Sequence, residues 1–152
     1  RATATRQTNA SSTPPTPALA ANPVAVAPPE LVGPEAGYTI IGNAEVSFAW
    51  KWAGALAPNQ GFEIVFWPQG KLEDKRGIHN ARETQALTPS LDDVYQLSKA
   101  VTNRGEGNYE WAVAIVQLNP YQRLVEAPSR SIKISSPPNN SAPDPGAAGT
   151  RP

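Results

Sequence analysis

The strictest alternation of apolar and polar side chains in the chain lies in residues 45–52. Val46, Phe48, Trp50 and Trp52 are separated there by single polar or small residues. Successive side chains of a β-strand point to opposite faces, whereas one face of a helix repeats about every 3.6 residues. The segment therefore predicts a β-strand with one buried face, and it restricts the chain to folds that pack such a face.

Two further segments, 62–67 and 109–117, repeat this period of two residues. Pro68 is expected to end the first of them, because proline has no N–H to donate to a neighbouring strand. The outward side chains of the second segment are small and apolar, so that face is expected to be partly covered. The predicted core of the three strands comprises Val46, Phe48, Trp50, Phe62, Ile64, Phe66, Tyr109, Trp111, Val113 and Ile115.

Weaker strand patterns occupy residues 30–32, 38–41 and 131–135, and residues 83–87 are predicted to add an edge strand. Residues 90–101 fit either a short helical turn or a broken strand. Residues 103–108 read as a hairpin-type turn, and Tyr121 falls in the loop that follows. About seven short strands with turn residues between them predict an all-β fold of two packed sheets.

The aromatic residues divide the chain into three parts. All eleven lie in residues 28–136, which are predicted to form one domain. Residues 1–27 and 137–152 are rich in Pro, Ala, Ser and Thr, a composition typical of extended tails or linkers. Because position 1 is Arg rather than Met, we expect the chain to be a processed or excised part of a longer product.

Composition argues against several classes of function. The 13 basic and 13 acidic residues balance, and no run of Lys or Arg occurs, so we expect no nucleic-acid partner. Without cysteine the chain has no disulfide, thiolate nucleophile or Cys-based zinc site. No apolar run approaches the roughly 20 residues of a membrane helix, so this segment is not expected to insert into a membrane.

The residues that could support catalysis are sparse. His79 is the single histidine, and a nucleophile–base pair or a His-based metal site needs partners that its neighbours do not supply. The acidic pairs 73–74 and 92–93 consist of adjacent residues, which point apart on a strand. The sequence therefore predicts no catalytic, cofactor-binding or metal site, and a protein that is not an enzyme.

Three aromatic residues outside the predicted core are candidate contacts for a partner or a glycan: Trp52, Trp67 and Tyr121. If exposed together, they could stack on sugars or anchor a protein partner. In the alternative interpretation, Trp67 caps the edge of the domain and Trp52 covers the rim of its core.

A series of short motifs lies at residues 29–31, 33–37, 46–50, 54–56, 62–66, 109–115 and 129–134. Their order resembles that of immunoglobulin-like and fibronectin type III-like modules of bacterial (Chloroflexota-type) cell-surface and secreted proteins. The resemblance implies a single β-sandwich, with Trp50 as a core tryptophan and Tyr109 near a tyrosine-corner position. The cysteine pair of antibody domains is absent.

These patterns predict that the chain is a non-catalytic extracellular module of a bacterial cell surface, which acts in structural assembly or protein–protein binding. Its partner would be a protein, including further copies of itself in a surface assembly or filament. Val24 and Val26 alternate with alanine and are candidates for a strand donated to a neighbouring copy. Two alternatives remain open: a module that binds carbohydrate or peptidoglycan, and the sensor ectodomain of a membrane receptor or kinase.

Overall fold

The computed structural model describes residues 26–139, which form nine β-strands and two short 3₁₀ helices. The first 3₁₀ helix is Leu72–Asp74 and the second is Ala81–Ala86. The strands are β1 Glu30–Gly33, β2 Tyr38–Ile41, β3 Glu45–Lys51, β4 Gln60–Pro68, β5 Arg76–Gly77, β6 Val94–Ala100, β7 Gly107–Leu118, β8 Tyr121–Glu126 and β9 Arg130–Ser135.

The strands form two sheets. The three-stranded sheet has the order β1-β3-β6, and the larger sheet has the order β2-β9-β7-β4-β5, with β8 paired to the second half of β7. All pairings are antiparallel except that of β2 with β9. The prediction of an all-β fold with two sheets is therefore confirmed.

The core lies between the two sheets, and all ten predicted core residues are buried in it. Aromatic rings join the sheets: the ring centroids of Phe48 and Trp111 lie 5.1 Å apart, and those of Trp50 and Phe62 lie 5.2 Å apart. Both pairs are edge-to-face, the arrangement that ring quadrupoles favour. Truncating one such ring to alanine typically costs about 3–5 kcal/mol.

Residues 83–87 were expected to form an edge strand, but residues 83–86 belong to the second 3₁₀ helix and Leu87 caps its end, so that prediction was wrong. The Asn80 side chain accepts a hydrogen bond from the Arg82 N–H at 3.1 Å and caps the helix. The turn is held because the buried Thr84 side chain bonds to β4 (below), a tertiary contact that sequence periodicity does not reveal. Residues 90–101, which fitted either a short helical turn or a broken strand, form a turn followed by β6.

Two connections also differ from expectation. Tyr121 is not in a loop: it is the first residue of β8, after a tight turn at Asn119 and Pro120. The turn at residues 103–108 is not a hairpin, because it joins β6 to β7, which lie in different sheets. Local turn residues were recognised correctly, but they do not specify which strands pair.

The chain between β4 and β6 closes the outer edge of β4. The short strand β5 pairs with Val65 and Phe66, and side chains continue the closure along β4. The Phe62 N–H donates to the Thr84 hydroxyl at 2.8 Å, and His79 Nε2 lies 3.0 Å from the Phe62 carbonyl oxygen. Among the residues that the structure describes, no strand beyond β5 covers this edge, and side chains satisfy its backbone groups.

Candidate functional site

The structure places the three candidate aromatic residues in different surroundings. Trp52 is 8% exposed and Trp67 is 2% exposed, whereas Tyr121 is 57% exposed. None of the aromatic ring pairs within residues 26–139 joins two of the three. They do not form a shared stacking platform.

Trp52 belongs to the rim of the core. Its indole packs edge-on against Phe62 with the centroids 5.4 Å apart, and its Nε1–H donates to the Ala27 carbonyl oxygen at 2.9 Å. A Cβ at Gly54 would lie 2.4 Å from the Trp52 ring, so the backbone of Gly54 packs directly on the indole. The ring is covered on its sides by its own chain.

A groove of about 390 Å³ runs beside Trp52. Its walls are Val26, Ala27 and residues 53–55, which are small or apolar, with Gln60 at one end. Val26 is half-buried against the core of its own domain and lies outside any strand, and Val24 lies outside the described residues. A donated strand that includes these two valines stays a prediction.

The richer surface is the outer face of the larger sheet, which we define as the face turned away from the three-stranded sheet. Its floor is formed by the outward side chains of β4 and β7, which are almost completely buried. The floor residues are Val65, Trp67, Ala112, Ala114 and Val116. This confirms the expectation that the outward face of residues 109–117 is covered.

One end of the outer face is covered by a three-residue cluster on β4 and β8. Glu63 is 5% exposed and accepts hydrogen bonds from the Tyr121 hydroxyl and from Arg123 Nη2, the latter at 3.0 Å. Its carboxylate also lies against Gly77, where an added Cβ would approach Oε1 to 2.7 Å. A buried carboxylate is stabilised by paired charge and hydrogen bonds, and both are present here.

Two side chains of this cluster, those of Tyr121 and Arg123, have raised pKa values. Burial raises the pKa of Tyr121 to about 12, and the hydrogen bond with Glu63 and its charge add to this effect. Burial alone would lower the pKa of Arg123, but the hydrogen bond and charge of Glu63 raise it overall. At neutral pH Tyr121 therefore stays a hydrogen-bond donor and Arg123 stays a cation.

The other end is covered by a cation that bridges two elements. The Lys75 Nζ is paired with the Glu126 carboxylate and lies 4.1 Å from the centre of the Trp67 ring. This cation–π geometry holds the lysine chain flat across the indole. Lys75 directly precedes β5 and Glu126 is the last residue of β8. The ion pair between them therefore lies across the floor of the outer face.

The outer face thus presents a charge-balanced polar layer over an apolar floor. Residues 26–139 contain no group of three metal-ligating side chains, and His79, which faces the β4 edge, is bonded to backbone. The polar layer can bind by hydrogen bonds and ion pairs, and the almost completely buried floor supports it from beneath.

Sequence reasoning selected Trp67 and Tyr121 but missed Glu63, Arg123, Lys75 and Glu126. A signal was present: Glu63 is a carboxylate inside an otherwise apolar strand, on the face opposite Phe62 and Ile64. Such a residue needs buried partners. The missing information was β8, whose pairing with β7 supplies Tyr121, Arg123 and Glu126.

No protein-family model matches this chain, and a search of curated proteins finds no match. Residues 26–139 contain no helix that is long and apolar enough to cross a membrane. Inferences about function therefore depend on the geometry of the domain itself.

Proposed function

We propose that this chain is a non-catalytic, immunoglobulin-like module of a bacterial cell surface that binds a protein partner through the outer face of its larger sheet. Such a module would act in structural assembly or in protein–protein adhesion. The observation that carries the proposal is the polar layer of Glu63, Arg123, Tyr121 and the Lys75–Glu126 pair over the Trp67 floor.

The immunoglobulin-like assignment is supported by the order of the strands. In such domains strands A, B and E share one sheet and C, F and G share the other. Taking β1, β3 and β6 as A, B and E leaves β4 and β7 as C and F, with β8 and β9 together as G. This mapping uses every long strand.

A tyrosine corner also supports the assignment. The Tyr109 hydroxyl donates to the Gly105 carbonyl oxygen at 2.7 Å, four residues upstream, near the start of β7. In immunoglobulin-like domains a tyrosine near the start of strand F makes this kind of bond, two residues before the second cysteine. Here Trp111 occupies the place of that cysteine and packs against Phe48 of the opposite sheet.

The residue types of the outer face favour a protein partner over a glycan. Tyr, Trp and Arg are the side chains most often found at the energetic centres of protein interfaces. A platform for sugar stacking needs several exposed ring faces, and of the three candidate rings only that of Tyr121 is exposed. Arg123 Nε and Trp67 Nε1 are buried donors without an acceptor in residues 26–139, so oxygen atoms of a partner could satisfy them after the covering side chains move.

The proposal is tested by titrating purified chain onto intact cells of its source and measuring retained protein. The double variant Tyr121→Ala/Arg123→Ala should bind at least about tenfold more weakly, since it removes two interface-type side chains. Tyr38→Ala, at an exposed tyrosine of β2, is the matched control and should bind like the wild type.

Two pretreatments of the cells distinguish the chemistry of the partner. Protease treatment should abolish specific binding, and treatment with glycosidases should leave it intact. Loss of binding after glycosidase treatment alone would favour the carbohydrate alternative. Equal binding of the double variant and the wild type would rule out the outer face as the binding surface.

A further inference from the structure

Within residues 26–139, strand β6 has a free edge along residues 95–100, because the outward Val94 carbonyl oxygen already accepts from the Ser90 N–H at 2.8 Å. It pairs with β3 through seven consecutive residues, from Val94 opposite Lys51 to Ala100 opposite Glu45, without a shift in register. It is the last strand of its sheet. A regular strand with one unpaired side is a template for another strand.

The phase of the hydrogen bonds shows which backbone groups face outward. The Trp52 N–H donates to the Asp93 carbonyl oxygen at 3.2 Å, which makes this pair hydrogen-bonded and sets the alternation along β6. The backbone N–H and C=O groups that bond to β3 are then those of Tyr95, Leu97 and Lys99. The backbone groups of Gln96 and Ser98 point away from β3, toward the open edge. Within residues 26–139 no other group bonds to the N–H or C=O of Gln96 or Ser98.

The other edges are less suited to accept a strand. The edge of β4 is closed by β5 and by the His79 and Thr84 side chains. The pairings of β1 with β3 and of β8 with β7 contain register shifts, which twist an edge away from a partner. The strand β2 has only four residues.

We propose that two copies of this chain pair through β6, antiparallel, about a two-fold axis at Leu97. This register places Gln96 of one copy opposite Ser98 of the other, so the outward backbone groups bond to each other. It also places Leu97 opposite its own equivalent and Tyr95 opposite Lys99. The two three-stranded sheets become one continuous six-stranded sheet.

Under this symmetry no two like charges come directly opposite each other at the edge. Lys99 is not opposed by a second lysine, and its Nζ lies 3.9 Å from the Glu83 carboxylate of its own chain. Glu45 is opposite Ala100 and Lys51 is opposite Val94. The two-fold axis puts Ala100 of one copy opposite Val94 of the other, so Glu45 and Lys51 of different copies occupy the same row across the sheet.

The side chains on the outward face of β6 support a second copy rather than a charged partner. Gln96 and Ser98 are neutral, and each can meet the other without leaving an unpaired charge.

Pairing through edge strands alone buries little surface, so the association is weak and visible only at high protein concentration. A two-fold contact closes on itself and gives a dimer. The inference concerns a different surface from that of the proposed function and does not depend on it.

Sedimentation velocity of the full chain over a range of concentrations tests the dimer, with two variants that differ only in the sign of the charge at position 98. In Gln96→Lys/Ser98→Lys, the proposed register opposes two ammonium groups in each hydrogen-bonded pair. In Gln96→Lys/Ser98→Glu, it opposes a cation and an anion. Like charges directly opposite each other destabilise paired strands, so the first variant should dissociate about tenfold more readily than the second.

Each outcome of this experiment either supports or overturns the proposed dimer. A concentration-dependent dimer that the first variant weakens and the second retains supports the proposal. A wild-type chain that stays monomeric at the highest soluble concentration overturns it, as does equal dimerisation of the two variants. Thermal unfolding of both variants should match the wild type, because positions 96 and 98 are exposed in the single chain.

Discussion

At the scale of single residues, Thr84 shows how a side chain replaces a strand. Its hydroxyl accepts from the Phe62 N–H at 2.8 Å and has one hydrogen to donate, with the carbonyl oxygens of Phe62 and Ala81 at 2.7 and 2.6 Å. Thr84 is completely buried. The backbone of β4 at Phe62 therefore depends on this one hydroxyl and on His79.

Thr84→Val tests this dependence, because valine has nearly the shape of threonine without its hydroxyl. The change leaves the buried Phe62 N–H without its acceptor, which typically costs about 1–3 kcal/mol. The free energy of unfolding, measured by urea denaturation, should fall by that amount. Thr84→Ser keeps the hydroxyl and should be less destabilised; equal losses in the two variants would contradict the role of the hydrogen bond.

His79 makes the same edge sensitive to acid. Burial lowers the pKa of His79 below its ordinary 6.5, although the bond to the Phe62 carbonyl oxygen and the charges of Glu83 and Glu63 partly oppose this. The unfolded chain binds the proton near pH 6.5, and the folded chain binds it only at lower pH. The contribution of His79 to stability is therefore present above about pH 6.5 and is lost as the pH falls below it.

Urea denaturation of the wild type and of His79→Gln at pH 7.5 and pH 5.5 measures this effect. The wild type should lose more stability than the variant between the two pH values, since the carboxylates titrate similarly in both. A difference between wild type and variant that does not change with pH would contradict the depressed pKa.

At the scale of elements, Arg130 ties the two sheets together where the chain crosses between them. Its guanidinium donates to the carbonyl oxygens of Leu31 at 2.5 Å, Val32 at 3.1 Å and Pro34 at 3.2 Å. Leu31 and Val32 belong to β1 in one sheet, and Arg130 begins β9 in the other. One side chain thus holds the kink that separates β1 from β2.

Arg130→Lys should loosen this crossing, because an ammonium group cannot span three carbonyl oxygens as a planar guanidinium does. Backbone amides of β1 and β2 should exchange hydrogen faster, while those of β7 stay protected. Lys133→Arg, an exposed position on the same strand, is the control. Unchanged exchange in β1 and β2 would show that the kink does not depend on Arg130.

At the scale of the whole molecule, alternation in the sequence was enough to predict β3, β4 and β7 and ten residues of the core. It succeeded there because residues such as Phe48 and Trp111 face a core on one side of a strand, and burial enforces a period of two. It failed at residues 83–87, where a single tertiary contact of Thr84 decides the structure. It also failed at β8, whose short exposed strand lacks a clean alternation.

The candidate site could be predicted only in part for a related reason. Trp67 and Tyr121 stood out as aromatic residues, but their meaning depends on pairings between distant parts of the chain. Glu63 and Arg123 are 60 positions apart, and the pairing of both strands with β7 brings them together. Sequence spacing does not encode such a cluster.

The most direct test of the account is photo-cross-linking on source cells, with a photoreactive amino acid placed at Tyr121 or, separately, at Tyr38. Both tyrosines are exposed on strands of the same sheet, and only Tyr121 lies in the polar layer of the outer face. We expect a distinct protein adduct from position 121 and none from position 38. Adducts of the same protein in equal yield from both positions, or an adduct from position 38 alone, would contradict it.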